Sequence, residues 1–250
     1  MSGHSKWAQI KRQKGVTDIK RGQAFTKIAK AITLAVKEGG GIGDPEKNFK
    51  LRLAIEKARA INTPKENIER AIERGMGKGK GESLEEVVYE GFGPGGVAVI
   101  AEAATDNRQR TNSEVKSIFD KNGGTFGNPG SVSYLFQKKG TITIKKDGKT
   151  IDEIFLAAAD FGAEDVEEAG EEVLVYTKPE DLGKVKDLLS NSLTVTNAEI
   201  IRKPFVAVTI EDKQTAQKVL SFMDKLESCE DIQRVDANFD IPDNLIESGT

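Results

Sequence analysis

One cysteine, one histidine and one tryptophan are all that 250 residues contain of those three types, and the scarcity excludes much chemistry before any motif is sought. The lone Cys229 cannot form an internal disulfide. With His4 as the only imidazole, a Ser-His-Asp triad would have to draw on the amino end, and no His/Cys zinc set can be assembled. Aromatic residues are 6% of the chain, so its core must be built from small aliphatic side chains. No apolar run approaches the roughly 18–20 residues that span a bilayer. The opening Met1-Ser2-Gly3-His4-Ser5-Lys6-Trp7 lacks the apolar stretch of a signal peptide. These absences point to a cytoplasmic protein with no membrane partner; carboxylate-based metal chemistry stays open but nothing signals it, and no metal or cofactor is expected.

What is present is charge, and it is unevenly placed. The net charge of −3 comes from 37 basic and 40 acidic residues. Residues 1–80 hold 19 Lys and Arg against 8 Asp and Glu, a net of +11, which leaves −14 for residues 81–250. Such asymmetry marks a nucleic-acid-binding end.

The first eighty residues read as a basic arm followed by three helices. From Asp18 to Glu38, Phe25, Ile28, Ile32 and Ala35 recur at helical spacing, and Gly39-Gly40-Gly41 stops the run. Lys20, Lys27, Lys30 and Lys37 fall in the opposite arc, with Leu34 breaking the pattern. Asp44-Pro45 reads as the cap of a second helix ending near Asn62, and Thr63-Pro64-Lys65-Glu66 as a capping box opening a third that ends at Gly75. Residues 75–81 then form a glycine-lysine linker. Beyond it the period alternates, with strands at Val87–Glu90 and Val97–Ala103, a helix capped by Thr111-Asn112-Ser113-Glu114 and stopped at Gly123-Gly124, and a strand at Ser131–Phe136. The order β-α-β-β-α-β over 138–203 is that of a ferredoxin-like unit. A strand at Phe205–Ile210, a helix over Asp212–Glu227 and a strand at Ile232–Phe239 leave a β-α-β half that needs a partner. The expected fold is therefore multidomain α+β: a three-helix domain at 1–80, a split α+β domain at 81–137 plus 204–240, an acidic ferredoxin-like domain at 138–203 inserted into it, and a tail at 241–250.

Gly91-Phe92-Gly93-Pro94-Gly95-Gly96 satisfies G-x-G-x-x-G, but it leads into a strand rather than a helix and Pro94 lacks an amide, so it reads as a loop between strands. The arm places Lys6, Lys11, Arg12 and Lys14 around Trp7 with no acid among them, a composition suited to phosphate contact. Trp7 can either stack on a base or anchor the arm on the bundle. Lys20, Arg21, Lys27 and Lys30 extend the basic stripe. Thr105-Asp106-Asn107-Arg108-Gln109-Arg110-Thr111 brings two guanidinium groups to a helix N-terminus, where unpaired amides favour anions. The competing reading pairs Arg108 and Arg110 with acids of their own domain. Glu164, Asp165, Glu167, Glu168, Glu171 and Glu172 form an acidic stretch that reads as a solvated hairpin or as a surface for a basic protein.

Gly3-His4-Ser5-Lys6-Trp7, Lys20-Arg21-Gly22-Gln23-Ala24-Phe25-Thr26-Lys27, the run Asn62–Ile72, Asp106-Asn107-Arg108-Gln109-Arg110-Thr111 and Gly127-Asn128-Pro129-Gly130-Ser131-Val132 together resemble the YebC family, which includes the mitochondrial translational activator of cytochrome c oxidase subunit I. The resemblance covers essentially the whole chain, with Gln109 standing where many members have asparagine. It implies a helical domain and two α+β domains, no catalytic residue, and, lacking a transit peptide, a bacterial type of member. Members are labelled transcriptional regulators that bind DNA, while others act as translation factors at the ribosome, including at proline stretches. The leading expectation is thus a non-enzymatic nucleic-acid-binding regulator of gene expression, with DNA or ribosomal RNA and the ribosome as alternative partners. An acidic protein-interaction module and a small-molecule sensor or enzyme with a ferredoxin-like cleft are the rivals.

Overall fold

In the computed structural model, which describes residues 18–78 and 83–246, the long amphipathic run forms helix α1 (Asp18–Glu38) with the expected bounds. It packs with α2 (Phe49–Ala60) and α3 (Lys65–Gly75) around Ile32, Val36, Leu51, Ile55, Ala58 and Ile68. Two of the expected caps differ. Asp44 closes only a local turn, accepting from the Glu46 amide, and α2 starts four residues later on Asn48. Asn48 is buried, and it alone offers both an acceptor for the Leu51 amide (3.1 Å) and an NH2 group for the Ala35 carbonyl (2.9 Å), which ties the start of α2 to the end of α1. At α3 the capping box does not form: Pro64 occupies the cap without a side-chain bond, and the buried Thr63 hydroxyl has no partner among the described residues.

The described chain falls into two compact units. One comprises 18–132 and 217–235. Besides the three helices it holds β1 (Glu85–Phe92), β2 (Ala98–Thr105), α4 (Arg108–Lys121) and β3 (Thr125–Phe126). The glycine-rich segment is a hairpin connection, with a 3-10 turn at Pro94–Gly96 joining β1 to β2, as its lead into a strand predicts. Gly91 lies inside β1, where a Cβ atom would stand 2.5 Å from the Thr125 carbonyl oxygen and 2.6 Å from the Phe119 ring, so packing rather than phosphate accounts for it. Within a largely aliphatic core one aromatic contact stands out: Phe119 meets Phe222 edge to face with centroids 4.9 Å apart, a geometry worth about 1 kcal/mol beyond buried area. Gly124 donates its amide to the Phe119 carbonyl and closes α4 as the Gly123-Gly124 stop predicts.

The other unit comprises 133–216 and 236–246. Residues 133–135 form a 3-10 turn rather than a strand, and the strand starts at Phe136 as β4 (Phe136–Lys145). With α5 (Ile151–Ala159), β5 (Asp165–Ala169), β6 (Glu172–Thr177), α6 (Leu182–Leu189) and β7 (Val195–Pro204) it builds a wholly antiparallel sheet of order β5-β6-β4-β7, the ferredoxin-like arrangement. The strand expected at Phe205–Ile210 shrinks to β8 (Val208–Thr209). Then come α7 (Lys213–Ser228), β9 (Ile232–Ala237) and β10 (Phe239–Asp240), whose two residues pair in parallel with β8, and a short α8 (Asp243–Ile246). β9 completes the first sheet, of order β3-β1-β2-β9.

Candidate nucleic-acid interface

The turn that leads from β2 into α4 is built on hydroxyls and one distant carboxylate. Asn107, in extended conformation, caps α4 by accepting the Arg110 amide at 3.0 Å, and Thr105 Oγ1 accepts the Asn107 amide at 2.9 Å. Thr111, which the sequence suggested as the cap, sits inside the first turn, fully buried. Its hydroxyl lies 2.8 Å from that of Thr105 and donates to Asp231 at 2.6 Å. Asp231 has 3% of its side chain exposed and accepts in addition from Arg110 Nη2 (2.8 Å) and Lys30 Nζ (2.6 Å). Its own carbonyl takes the Ala104 amide at 2.8 Å, which fixes it beside β2. Burial pushes the Asp231 carboxyl up, but the hydrogen bonds from Arg110, Lys30 and Thr111 outweigh that and bring it down to about 2. Its bond to Asp231, with a second to Asp106 at 3.0 Å, raises the already high basicity of Arg110.

The arginine pair of this turn is therefore divided. Two residues apart on a helix, Arg108 and Arg110 point about 160° apart. Arg110 turns to Asp231 and Asp106, as the competing reading of the sequence has it. Arg108 is exposed on the other side, in line with Asn112 and Lys116 at i+4 and i+8. That face of α4, the β1 residues Val87 to Glu90 and the segment Phe126–Pro129 line a cleft of about 460 Å³. Tyr89 at its base is 5% exposed, and its hydroxyl has no hydrogen-bond partner among the described residues. Burial raises the basicity of the Tyr89 phenolate, with Arg108 working in the opposite direction. The loop forming the far wall is pinned from beneath: Glu90 accepts the Gly127 amide on its backbone and the Gly130 and Val132 amides on its buried carboxylate (2.8 and 2.9 Å). Gly130 has φ +89°, the left-handed region that favours glycine.

The other sequence-predicted contacts are scattered by this geometry. Lys6, Trp7, Lys11, Arg12 and Lys14 lie outside the described residues, and Lys20 and Arg21 fall in the first turn of α1. Lys27 donates to the Glu227 carbonyl and Lys30 to Asp231, while Lys37 reaches the Ser83 hydroxyl (2.6 Å) and the Leu84 carbonyl (2.8 Å). The arc of Lys27, Lys30 and Lys37 on α1 is thus turned to the protein's own groups, and half-buried Leu34 no longer breaks a pattern there. In the acidic stretch, Glu164 pairs with Lys139 (2.6 Å), Asp165 and Glu167 with Lys203 (3.0 and 2.7 Å), and Glu168 with Lys146; Glu172 accepts from Thr196 and Glu171 is exposed. Sequence reasoning did not single out Asp231, Tyr89, Glu90 or Lys116. Thr111 carried a usable signal, because it shares the i, i+4, i+8 row of Val115 and Phe119 and so had to bury its hydroxyl against a partner.

No helix among the described residues is long and apolar enough to cross a membrane. Fold and site define a class: an α+β protein whose helical domain is tied by lysines to the following sheet, with a cationic cleft on that sheet's edge. The chain belongs to the TACO1/YebC family, whose N-terminal domain matches residues 5–78 and whose second and third domains match residues 84–239. It is 51% identical over 249 residues, 98% of each chain, to a protein of Chloroflexus aurantiacus named "Probable transcriptional regulatory protein". A protein of Syntrophomonas wolfei with the same name is 48% identical over 98% of this chain and 99% of its own. The crystal structure of a conserved hypothetical protein from Aquifex aeolicus superposes with a TM-score of 0.83 at 46% identity, covering 90% of this chain and 93% of that one.

Proposed function

We infer that this protein regulates gene expression by binding nucleic acid and not by catalysis. The observation that supports this most is the segregation of charge: +11 over residues 1–80 in a chain of net charge −3, at the end where Lys6, Lys11, Arg12, Lys14, Lys20 and Arg21 are gathered. The relatives' name, transcriptional regulatory protein, supports the regulatory half of the reading. Phosphate neutralisation by these cations supplies affinity without sequence preference. In this reading 1–80 faces the polyanion and Arg108, exposed in the domain that follows, adds a second contact with it. The exposed cations Arg108 and Lys116 line a concave cleft rather than a protruding helix or ribbon, and that favours RNA of the ribosome or of a message over duplex DNA.

Titrating the intact protein and a form lacking residues 1–16 against duplex DNA, structured RNA and ribosomes at two salt concentrations tests the reading. Steep salt dependence and weaker binding by the shortened form are expected. Equal, salt-insensitive binding by both forms would sink it.

A further inference from the structure

We propose that the cleft between α4, β1 and the Phe126–Pro129 segment is a binding site for one nucleotide of a single-stranded nucleic acid, with Arg108 and Lys116 on its two flanking phosphates and Tyr89 and Asn112 donating to the unit between them. This rests on the nucleic-acid reading above and assigns it a place. The cleft measures about 460 Å³, within the range of about 300–1,000 Å³ typical of small-ligand sites. Its cations stand eight residues apart on one helix face, about 12 Å along the axis, so they address the two ends of an occupant rather than a single point. Asn112 stands between them. Tyr89 lines the cleft, and its buried hydroxyl has no partner among the described residues, a cost that an incoming oxygen or ring nitrogen would remove. Phe126 adds an aromatic wall.

The far wall is set before binding, because Glu90 holds the Gly127, Gly130 and Val132 amides. Glu90, the one acid among the described residues that line the cleft, has its carboxylate spent on backbone donors and does not face an anion unpaired. A duplex cannot place a paired base in such a recess, whereas an unstacked one enters it. An extended peptide fits less well: the edge of β1 is taken from Glu90 onward by the Gly127 amide and by β3, which leaves Glu85 to Tyr89 for strand pairing, a stretch that opens with two carboxylates.

The test uses the full chain, with 5′-labelled oligo(rU) and oligo(dT) eight-mers, a duplex of equal length and an acidic peptide as probes. Arg108→Gln with Lys116→Gln should weaken both single strands about tenfold or more and reduce the salt slope by about 1.4, for two lost phosphate contacts. Tyr89→Phe should weaken them about fivefold, the loss of one hydrogen bond, with the salt slope unchanged. Tighter binding of oligo(rU) than of oligo(dT) would place the ribose 2′-hydroxyl against Tyr89 or Asn112, and equal binding would leave the phosphates and base as the recognised groups; both sustain the site. Ultraviolet crosslinking of a 4-thiouridine eight-mer should map to Tyr89 or Phe126. If the wild-type chain binds single strands and all three substitutions leave that binding and the crosslink position elsewhere unaffected, the cleft assignment falls while the nucleic-acid reading stands. If the wild-type chain binds no nucleic acid at any salt, both fall. Displacement of the strand by the acidic peptide at lower concentration would overturn the assignment in favour of a protein ligand.

Discussion

Arg108 and Arg110 carry the same guanidinium two positions apart, and the structure gives them opposite tasks. Arg110 joins Lys30 on a buried carboxylate, Asp231, and its charge is used up in holding α1 and α4 to the sheet. Arg108 keeps its charge for solvent, in a row with Lys116 above a cleft. The α1 lysines repeat the first pattern: Lys27, Lys30 and Lys37 each find a partner beyond the helical bundle. A basic stripe on a helical wheel thus says that cations share a side. It does not say whether that side meets water, a polyanion or the protein's own acids.

The sharpest way to break the inward set is to remove its hub. Asp231→Ala should destabilise the unit by about 3 kcal/mol, since it strands Lys30, Arg110 and two buried threonine hydroxyls at once. Faster amide exchange at Ala104 and throughout α1, with a lower thermal midpoint, would be the readout. Acid should reproduce part of the loss. The folded carboxyl of Asp231 is depressed to about 2, against about 3.9 when unfolded, so its contribution is complete above about pH 5 and disappears as pH falls towards 2. That contribution is about 2 kcal/mol, and Asp231→Asn should flatten the corresponding part of the stability profile between pH 6 and pH 2.5. A profile as steep in Asp231→Asn as in the wild type would assign the acid sensitivity to other carboxylates.

Local elements were legible in the sequence because they rest on local physics. α1 follows from apolar spacing and a triple-glycine stop, and the antiparallel β5-β6-β4-β7 unit from alternation and length. Caps were misplaced where several acceptors competed within a few residues: Asp44 against Asn48, Thr111 against Asn107. In each case the winner is settled by a tertiary partner, the Ala35 carbonyl for Asn48 and Asp231 for Thr111. The fate of the cations was hidden for the same reason. Lys30 and Asp231 are separated by 201 positions, and no periodicity links them. The cleft was half visible, since Arg108, Asn112 and Lys116 share a row, but Tyr89 and the Glu90-pinned loop come from elements that only the sheet brings beside it.

Smaller changes should separate the two classes of cation further. Thr111→Val keeps the volume and removes one donor from Asp231, and a cost of about 1–2 kcal/mol in urea unfolding is expected with nucleic-acid affinity intact. Arg108→Gln and Lys116→Gln should behave in the opposite manner. Both side chains are exposed, so stability should stay within about 0.5 kcal/mol of the wild type, and the whole effect should appear in binding and its salt dependence. Lys30→Gln completes the comparison, because it removes the same unit of charge from the inward set. If loss of charge alone mattered, Lys30→Gln and Lys116→Gln would reduce affinity equally; if position governs, only Lys116→Gln will, and Lys30→Gln will register as lost stability.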